Sequence, residues 1–173
     1  MKEYIHGGDI YRHPDVLDYS ANINPLGTPP GVIRAAKDSM ERVCHYPDAC
    51  QEKLKQALAK YEQVPVEWLI CGNGAAELIF ALVQAVKPKR ALVLAPTFAE
   101  YAQALEAVGC EVNREILKKE EGFTLQDRIL DRLQKEDLQM VFLCNPNNPT
   151  GILMDPELAP VCSGRSRRSP EGA

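Results

Sequence analysis

The chain has 173 residues, 45% of them hydrophobic, enough for one buried core within the usual size of a single domain. Its 20 basic and 24 acidic residues leave a net charge of −4, which offers no general attraction to nucleic acid or to an anionic membrane and points to small molecules as partners. The N-terminus is polar over residues 1–12 with no apolar signal core, and no uninterrupted apolar span reaches membrane length, so the expected location is the cytoplasm. The six cysteines, Cys44, Cys50, Cys71, Cys110, Cys144 and Cys162, form no Cys-x-x-Cys pair and several lie in apolar runs. They read as buried thiols of a reduced compartment, with neither a zinc site nor a disulfide framework indicated.

Residues 1–30 are rich in Gly, Pro, Asn and Asp, with Gly7-Gly8, Asn24-Pro25, Gly27 and Pro29-Pro30 as breakers, and they predict an irregular arm. Apolar residues at helical spacing predict helices over 32–44 and 51–61, joined by a Tyr46-Pro47-Asp48 turn. Beyond Pro65 the pattern changes. The short apolar run 68–71 predicts a strand, Gly72-Asn73-Gly74 a turn, and 75–86 a helix ended near Pro88. A buried strand over 90–95, a helix over 98–108 stopped at Gly109, a strand over 110–117, a helix over 125–133 and a strand over 139–144 follow. This alternation predicts an α/β fold, a mostly parallel open sheet with covering helices, organised as an arm (1–30), a domain (31–162) and a tail (163–173). The tail has three arginines and no large apolar residue, so it is expected to be disordered and solvated. Its abrupt change of composition suggests a truncated or frame-shifted reading.

Three segments carry candidate chemistry. Gly72-Asn73-Gly74-Ala75-Ala76-Glu77 joins a strand to a helix and leaves backbone N–H groups at the helix start, where an anion such as phosphate is favoured; the same turn also serves plain packing. Glu77 stands where the third glycine of a dinucleotide fingerprint belongs, and the Gly-Lys-Ser/Thr of a nucleoside-triphosphate loop is missing, which weakens nucleotide readings. Phe98 follows the next strand, where its ring either covers a flat heterocycle or joins the core. After the run Met140-Val141-Phe142-Leu143 comes Cys144-Asn145-Pro146-Asn147-Asn148-Pro149-Thr150-Gly151. Its prolines fix φ and keep the preceding residues extended, so the Asn side chains are held in place, and Asn148 is aimed at a partner. A Pro/Asn turn that only joins two elements is the alternative.

The sequence Asn-Pro-Asn-Asn-Pro-Thr-Gly at 145–151 resembles the signature of the class I/II aminotransferases, the fold-type-I pyridoxal-phosphate enzymes. The resemblance implies a partial large domain of that fold with pyridoxal 5'-phosphate as cofactor. Asn148 would hydrogen-bond its ring hydroxyl, the amides of Ala75 and Ala76 would hold its phosphate, and Phe98 would stack on its pyridine ring. Tyr46 would reach the phosphate of a partner subunit's cofactor, which implies a homodimer. The arm, His6-Gly7-Gly8-Asp9-Ile10 followed by Leu17-Asp18-Tyr19-Ser20-Ala21-Asn22-Ile23-Asn24-Pro25-Leu26-Gly27, resembles the opening of the threonine-phosphate decarboxylases within that family. It implies roles for His6 at the substrate phosphate and Asn24 near the substrate carboxylate. The resemblance runs from residue 6 to about 158 and implies decarboxylation of L-threonine O-3-phosphate in cobalamin biosynthesis. Decarboxylation wins over transamination when the bond to the carboxylate stands perpendicular to the pyridine ring, a matter of pose.

The family's chemistry also needs a Schiff-base lysine, an aspartate on the pyridine nitrogen and further arginines, all beyond this signature. The last lysine here is Lys135, Asp155 comes too soon, and Arg165, Arg167 and Arg168 lie in the tail. No catalytic residue of this set is therefore expected in the chain, which reads as a front half, inactive alone and poorly soluble through uncovered apolar faces. Histidinol-phosphate or another amino-acid aminotransferase, a non-catalytic residual fragment, and a nucleotide-binding protein are the competing readings.

Overall fold

The computed structural model describes residues 7–155 and Leu158, in two compact units divided between Ile70 and Cys71. His6, Cys162 and the tail with Arg165, Arg167 and Arg168 lie outside the described residues.

In the first unit, residues 7–29 carry neither helix nor strand. Local hydrogen bonds shape them instead. The Asp18 carboxylate accepts from the Ser20 amide at 2.8 Å and its hydroxyl at 2.5 Å, contacts that hold the Asp18 carboxyl below its ordinary pKa. The Ser20 oxygen in turn accepts from the Gly8 amide at 2.8 Å, closing residues 8–20 into a loop. Helix α1 (Pro30–Ser39) opens with proline in its first turn, where the fixed φ suits a helix and the missing N–H is no loss. A short 3-10 turn, Met40–Arg42, follows. Helix α2 (Glu52–Glu62) is started from outside by Asp48, whose carboxylate accepts from the amides of Cys50 and Glu52, both at 3.0 Å. Neither helix contains a buried residue.

The second unit holds α3 (Gly74–Val86), β1 (Arg90–Ala95), α4 (Ala99–Ala107), β2 (Glu111–Ile116), α5 (Arg128–Lys135) and β3 (Met140–Phe142). The three strands form one parallel sheet in the order β2-β1-β3. The central strand is buried from Ala91 to Leu94, as its unbroken apolar run requires of a strand covered on both faces. Ala91 and Val93 pack with Val83 of α3 and Ala104 and Leu105 of α4. Leu92 and Leu94 point the other way. Glu115 is in register with Leu94 and shares that face, where α5 is docked through ions: Arg128 Nε lies 2.9 Å from Glu115 Oε1, and Arg132 Nη1 lies 2.9 Å from Glu115 Oε2 and donates to the Arg114 carbonyl. Glu121 and Glu136 complete the network on the outer sides of the two arginines. Helices α3 and α4 therefore cover one face and α5 the other.

This is the α/β architecture that the strand–helix alternation predicts, with three corrections. The predicted strand over 68–71 is a 3-10 turn, Val66–Trp68, followed by unpaired chain. Leu69 is extended (φ −106°, ψ 131°), but no strand lies beside it among the described residues, and a strand exists only as part of a ladder. Helix α5 starts at Arg128 and not at 125, because Thr124 and Gln126 are engaged in a local turn through their side chains. The cysteines are mostly not buried: Cys44 and Cys50 are exposed, Cys71 and Cys144 partly so, and among the described cysteines Cys110 alone is buried. Cys44 and Cys50 lie in turns of a unit whose helices bury nothing. No helix among the described residues is long and apolar enough to cross a membrane.

Candidate functional site

Strands β1 and β3 are parallel neighbours, so the turns that follow them emerge side by side at one edge of the sheet. The peptide bonds Ala95–Pro96, Asn145–Pro146 and Asn148–Pro149 in these turns are cis. One side chain joins the two turns. Asn147 is 5% exposed; its Nδ2 donates to the Pro96 carbonyl at 3.1 Å and to Thr150 Oγ1 at 2.9 Å, and its Oδ1 accepts from Thr97 Oγ1 at 2.9 Å. Its backbone N–H donates to the Ile152 carbonyl at 2.9 Å, and its own carbonyl accepts from Gly151 at 2.6 Å. A buried amide with every polar atom engaged is a structural post.

Asn148, the next residue, is the opposite. It is half-buried, and its side-chain amide has no hydrogen-bond partner among the described residues. An amide held on a proline-stiffened turn without an internal partner is available to a ligand. Phe98 adjoins Thr97, on the other side of the clamp, so the Thr97–Asn147 hydrogen bond fixes the two candidate residues relative to one another. The Phe98 ring is half-buried and forms an edge-to-face pair with Tyr101, 5.5 Å between centroids and 78° between planes. Tyr101 stacks on Phe142 of β3 at 4.6 Å and 11°. Burial, then the hydrogen bond to Cys144 and the charges of Cys144 and Glu100, push the Tyr101 phenol up to about 12.

At the start of α3, Gly74 has φ +81° and its N–H bonds the Gly72 carbonyl at 2.9 Å. The Asn73 amide donates to the Glu77 carboxylate, which reaches back over the helix start, a placement that suits the helix dipole. The first-turn amides of Ala75 and Ala76 have no acceptor inside the helix; Ala75 is exposed and Ala76 half-buried. Tyr46 and Asn24 belong to the first unit. Tyr46 is fully solvent-facing at 94% exposure. Asn24 donates to the Gly27 carbonyl at 2.8 Å and accepts from the Leu26 amide at 3.0 Å, so both ends of its amide serve its own turn.

The sequence reading passed over Asn147 and Tyr101. The only signal for Asn147 was its place beside Asn148 inside the same motif, and nothing in the residue order separates the buried amide from the available one.

A model of the aminotransferase class I and II family matches residues 14–159. The chain is 45% identical over 170 residues to the threonine-phosphate decarboxylase of Salmonella typhimurium, covering 94% of this chain and 46% of that protein. It is 34% identical over 161 residues to the adenosylcobalamin biosynthesis bifunctional protein of Leptospira interrogans, covering 87% of this chain and 19% of that one. In structure it is similar to the histidinol-phosphate aminotransferase from Clostridium acetobutylicum, with a TM-score of 0.70 and 28% identity, over 82% of this chain and 41% of that chain. The chain thus spans about half the length, or less, of the relatives that it matches. Such a match over most of the chain, on a parallel α/β sheet with the Asn145–Gly151 turn at its edge, places it in a family of pyridoxal-phosphate enzymes: the chain belongs to the class I and II aminotransferases.

Proposed function

We propose that the full-length protein decarboxylates L-threonine O-3-phosphate to (R)-1-amino-2-propanol O-2-phosphate in cobalamin biosynthesis, with pyridoxal 5'-phosphate as cofactor. The observation that carries this reading is the 45% identity to a threonine-phosphate decarboxylase across 94% of the chain. The residues fit the cofactor. A flat, phosphorylated, hydroxylated heterocycle needs an aromatic cover, a free hydrogen-bonding amide and a cluster of backbone donors. Phe98, Asn148 and the Ala75 and Ala76 amides offer these in one unit. Once bound, pyridoxal phosphate supplies the electron sink for the bond that breaks.

The chain's own residues do the rest. Asn148 holds the ring hydroxyl, and the Ala75 and Ala76 amides hold the phosphate with no charged side chain. Phe98 covers one ring face and keeps water from it. Asn147 holds the two turns that carry Phe98 and Asn148 in register. Tyr46 serves the cofactor phosphate of the second subunit in a homodimer, while His6 holds the substrate's phosphate and Asn24 gives its carboxylate the Nδ2 hydrogen not used in its own turn, so that together they select the bond that breaks. The protein acts in the cytoplasm on a small phosphorylated amino acid, without nucleic acid or membrane. No lysine follows Asn148 in these 173 residues, and by themselves they form an inactive fragment. The second reading, a histidinol-phosphate aminotransferase, is favoured by the likeness to that enzyme's structure at 28% identity.

Two measurements test these readings. The full-length protein, given L-threonine O-3-phosphate, is expected to release carbon dioxide; transfer of the amino group to a 2-oxo acid would favour the second reading instead. The 173-residue chain, mixed with pyridoxal phosphate and treated with borohydride, is expected to show no cofactor-sized mass increase on a single lysine. A stable adduct there, or turnover by this chain, would overturn the assignment of an inactive fragment.

A further inference from the structure

We propose that Tyr101 is a positioning residue that fixes the plane of the Phe98 ring; the inference rests on the cofactor reading above and deepens it. Phe98 stands at the entry to α4, with its backbone outside the helix (φ −58°, ψ 123°). Its one ring-to-ring contact among the described residues is with Tyr101, three positions on in the first turn of α4. An edge-to-face pair has a preferred geometry, so a Tyr101 that cannot turn leaves Phe98 one favoured plane.

Tyr101 is held in two ways. Its ring lies flat on Phe142 of β3, and its body packs against the core of Val83, Ala91, Val93, Ala104 and Leu105. Tyr101 thus touches Phe98 behind β1 and Phe142 at the end of β3. Mere packing would need an apolar side chain of similar volume. A flat ring does more, because it carries the orientation of β3 across to Phe98.

Three proteins, wild type, Tyr101→Phe and Tyr101→Leu, separate orientation from bulk. The first readout is the circular dichroism induced in the absorption band of pyridoxal phosphate as it is titrated into the purified chain. The second needs no cofactor: the ring-proton NMR shifts of Phe98, which sense the Tyr101 ring. Tyr101→Leu is expected to weaken binding roughly 2- to 10-fold, the value of one aromatic pair, to reduce the induced signal, and to average the Phe98 shifts. Tyr101→Phe keeps the stack and the edge contact and is expected to restore all three, even where its thermal midpoint falls. A purely structural role would move the midpoint of both variants and leave the Phe98 shifts of folded Tyr101→Leu unchanged, which would overturn the proposal, as would failure of Tyr101→Phe to rescue. If the wild-type chain gives no induced signal, these 173 residues do not hold the cofactor by themselves, and the Phe98 shifts alone decide whether Tyr101 positions that ring.

Discussion

Asn147 and Asn148 are the same residue type in adjacent positions, and the structure predicts opposite consequences for losing them. In Asn147→Ala three side-chain hydrogen bonds disappear, at 2.9, 2.9 and 3.1 Å. At about 1 kcal/mol each, the direct loss is about 3 kcal/mol. The bonds made by the Asn147 backbone survive, and solvent reaches the half-buried Thr97 and Thr150 hydroxyls. Those two facts reduce the figure to about 2 kcal/mol. Asn147→Asp sharpens the case, since a carboxylate can accept from Thr97 but cannot donate to the Pro96 carbonyl; it should cost at least as much as alanine. Asn148→Ala breaks no internal hydrogen bond among the described residues, so it should leave stability within about 0.5 kcal/mol and weaken pyridoxal phosphate binding about 10-fold. Urea denaturation with an unchanged m-value measures the first effect and a cofactor titration the second. Equal destabilisation by the two alanines, or an Asn147→Ala loss under about 0.5 kcal/mol, would refute the division of roles.

Further predictions come from the charged and strained positions. Burial acts to raise the Glu115 pKa, but hydrogen bonds from Arg132 and Arg128 outweigh it and hold the carboxyl below its ordinary 4.5; its contribution to stability is complete above pH 4.5 and is lost as pH falls through the depressed value. Glu115→Gln should therefore flatten the acid limb of a stability–pH curve, and Glu115→Ala should cost about 2 kcal/mol, less than for a fully buried pair because both arginines keep a second carboxylate. The Tyr101 phenol is raised from 10.0 to about 12, so the fold favours its neutral form and its contribution is full below pH 10 and lost between there and 12. A phenolate absorbance titration should show one late tyrosine that Tyr101→Phe removes. Gly74 has φ +81° with open space where a Cβ would stand, so Gly74→Ala should lose about 1 kcal/mol in a thermal melt through the backbone alone.

What was legible in the sequence divides along physical lines. The run Arg-Ala-Leu-Val-Leu-Ala shows a strand buried on both faces, and β1 occupies those residues. The run at 68–71 is as apolar but forms no strand among the described residues. Composition sets a preference for extended chain, whereas pairing depends on a partner elsewhere, which no local window contains. The same limit explains the cysteines. Cys110 is buried in one core cluster with Val83, Ala91 and Leu105, while Cys44 and Cys50 are exposed.

The site follows the same division, with one difference that bears on how it functions. The residues proposed from the sequence, Phe98, Asn148 and the Ala75–Ala76 amides, each stand next to a backbone feature that the sequence announces: a strand end, a pair of prolines, a glycine turn. Asn147 and Tyr101 were not, because their roles are made by contacts some 50 positions apart, as in the Asn147–Thr97 bond, or across the sheet, as in the Tyr101–Phe142 stack. The residues proposed to meet a ligand are thus set by local turns, and the residues that hold those turns by tertiary contacts. A ligand contact on a loop stays in place only if something rigid fixes the loop. Here the parallel pairing of β1 with β3 is that rigid part, and Asn147 and Tyr101 extend its order past the ends of the strands, one by hydrogen bonds and the other by stacked rings.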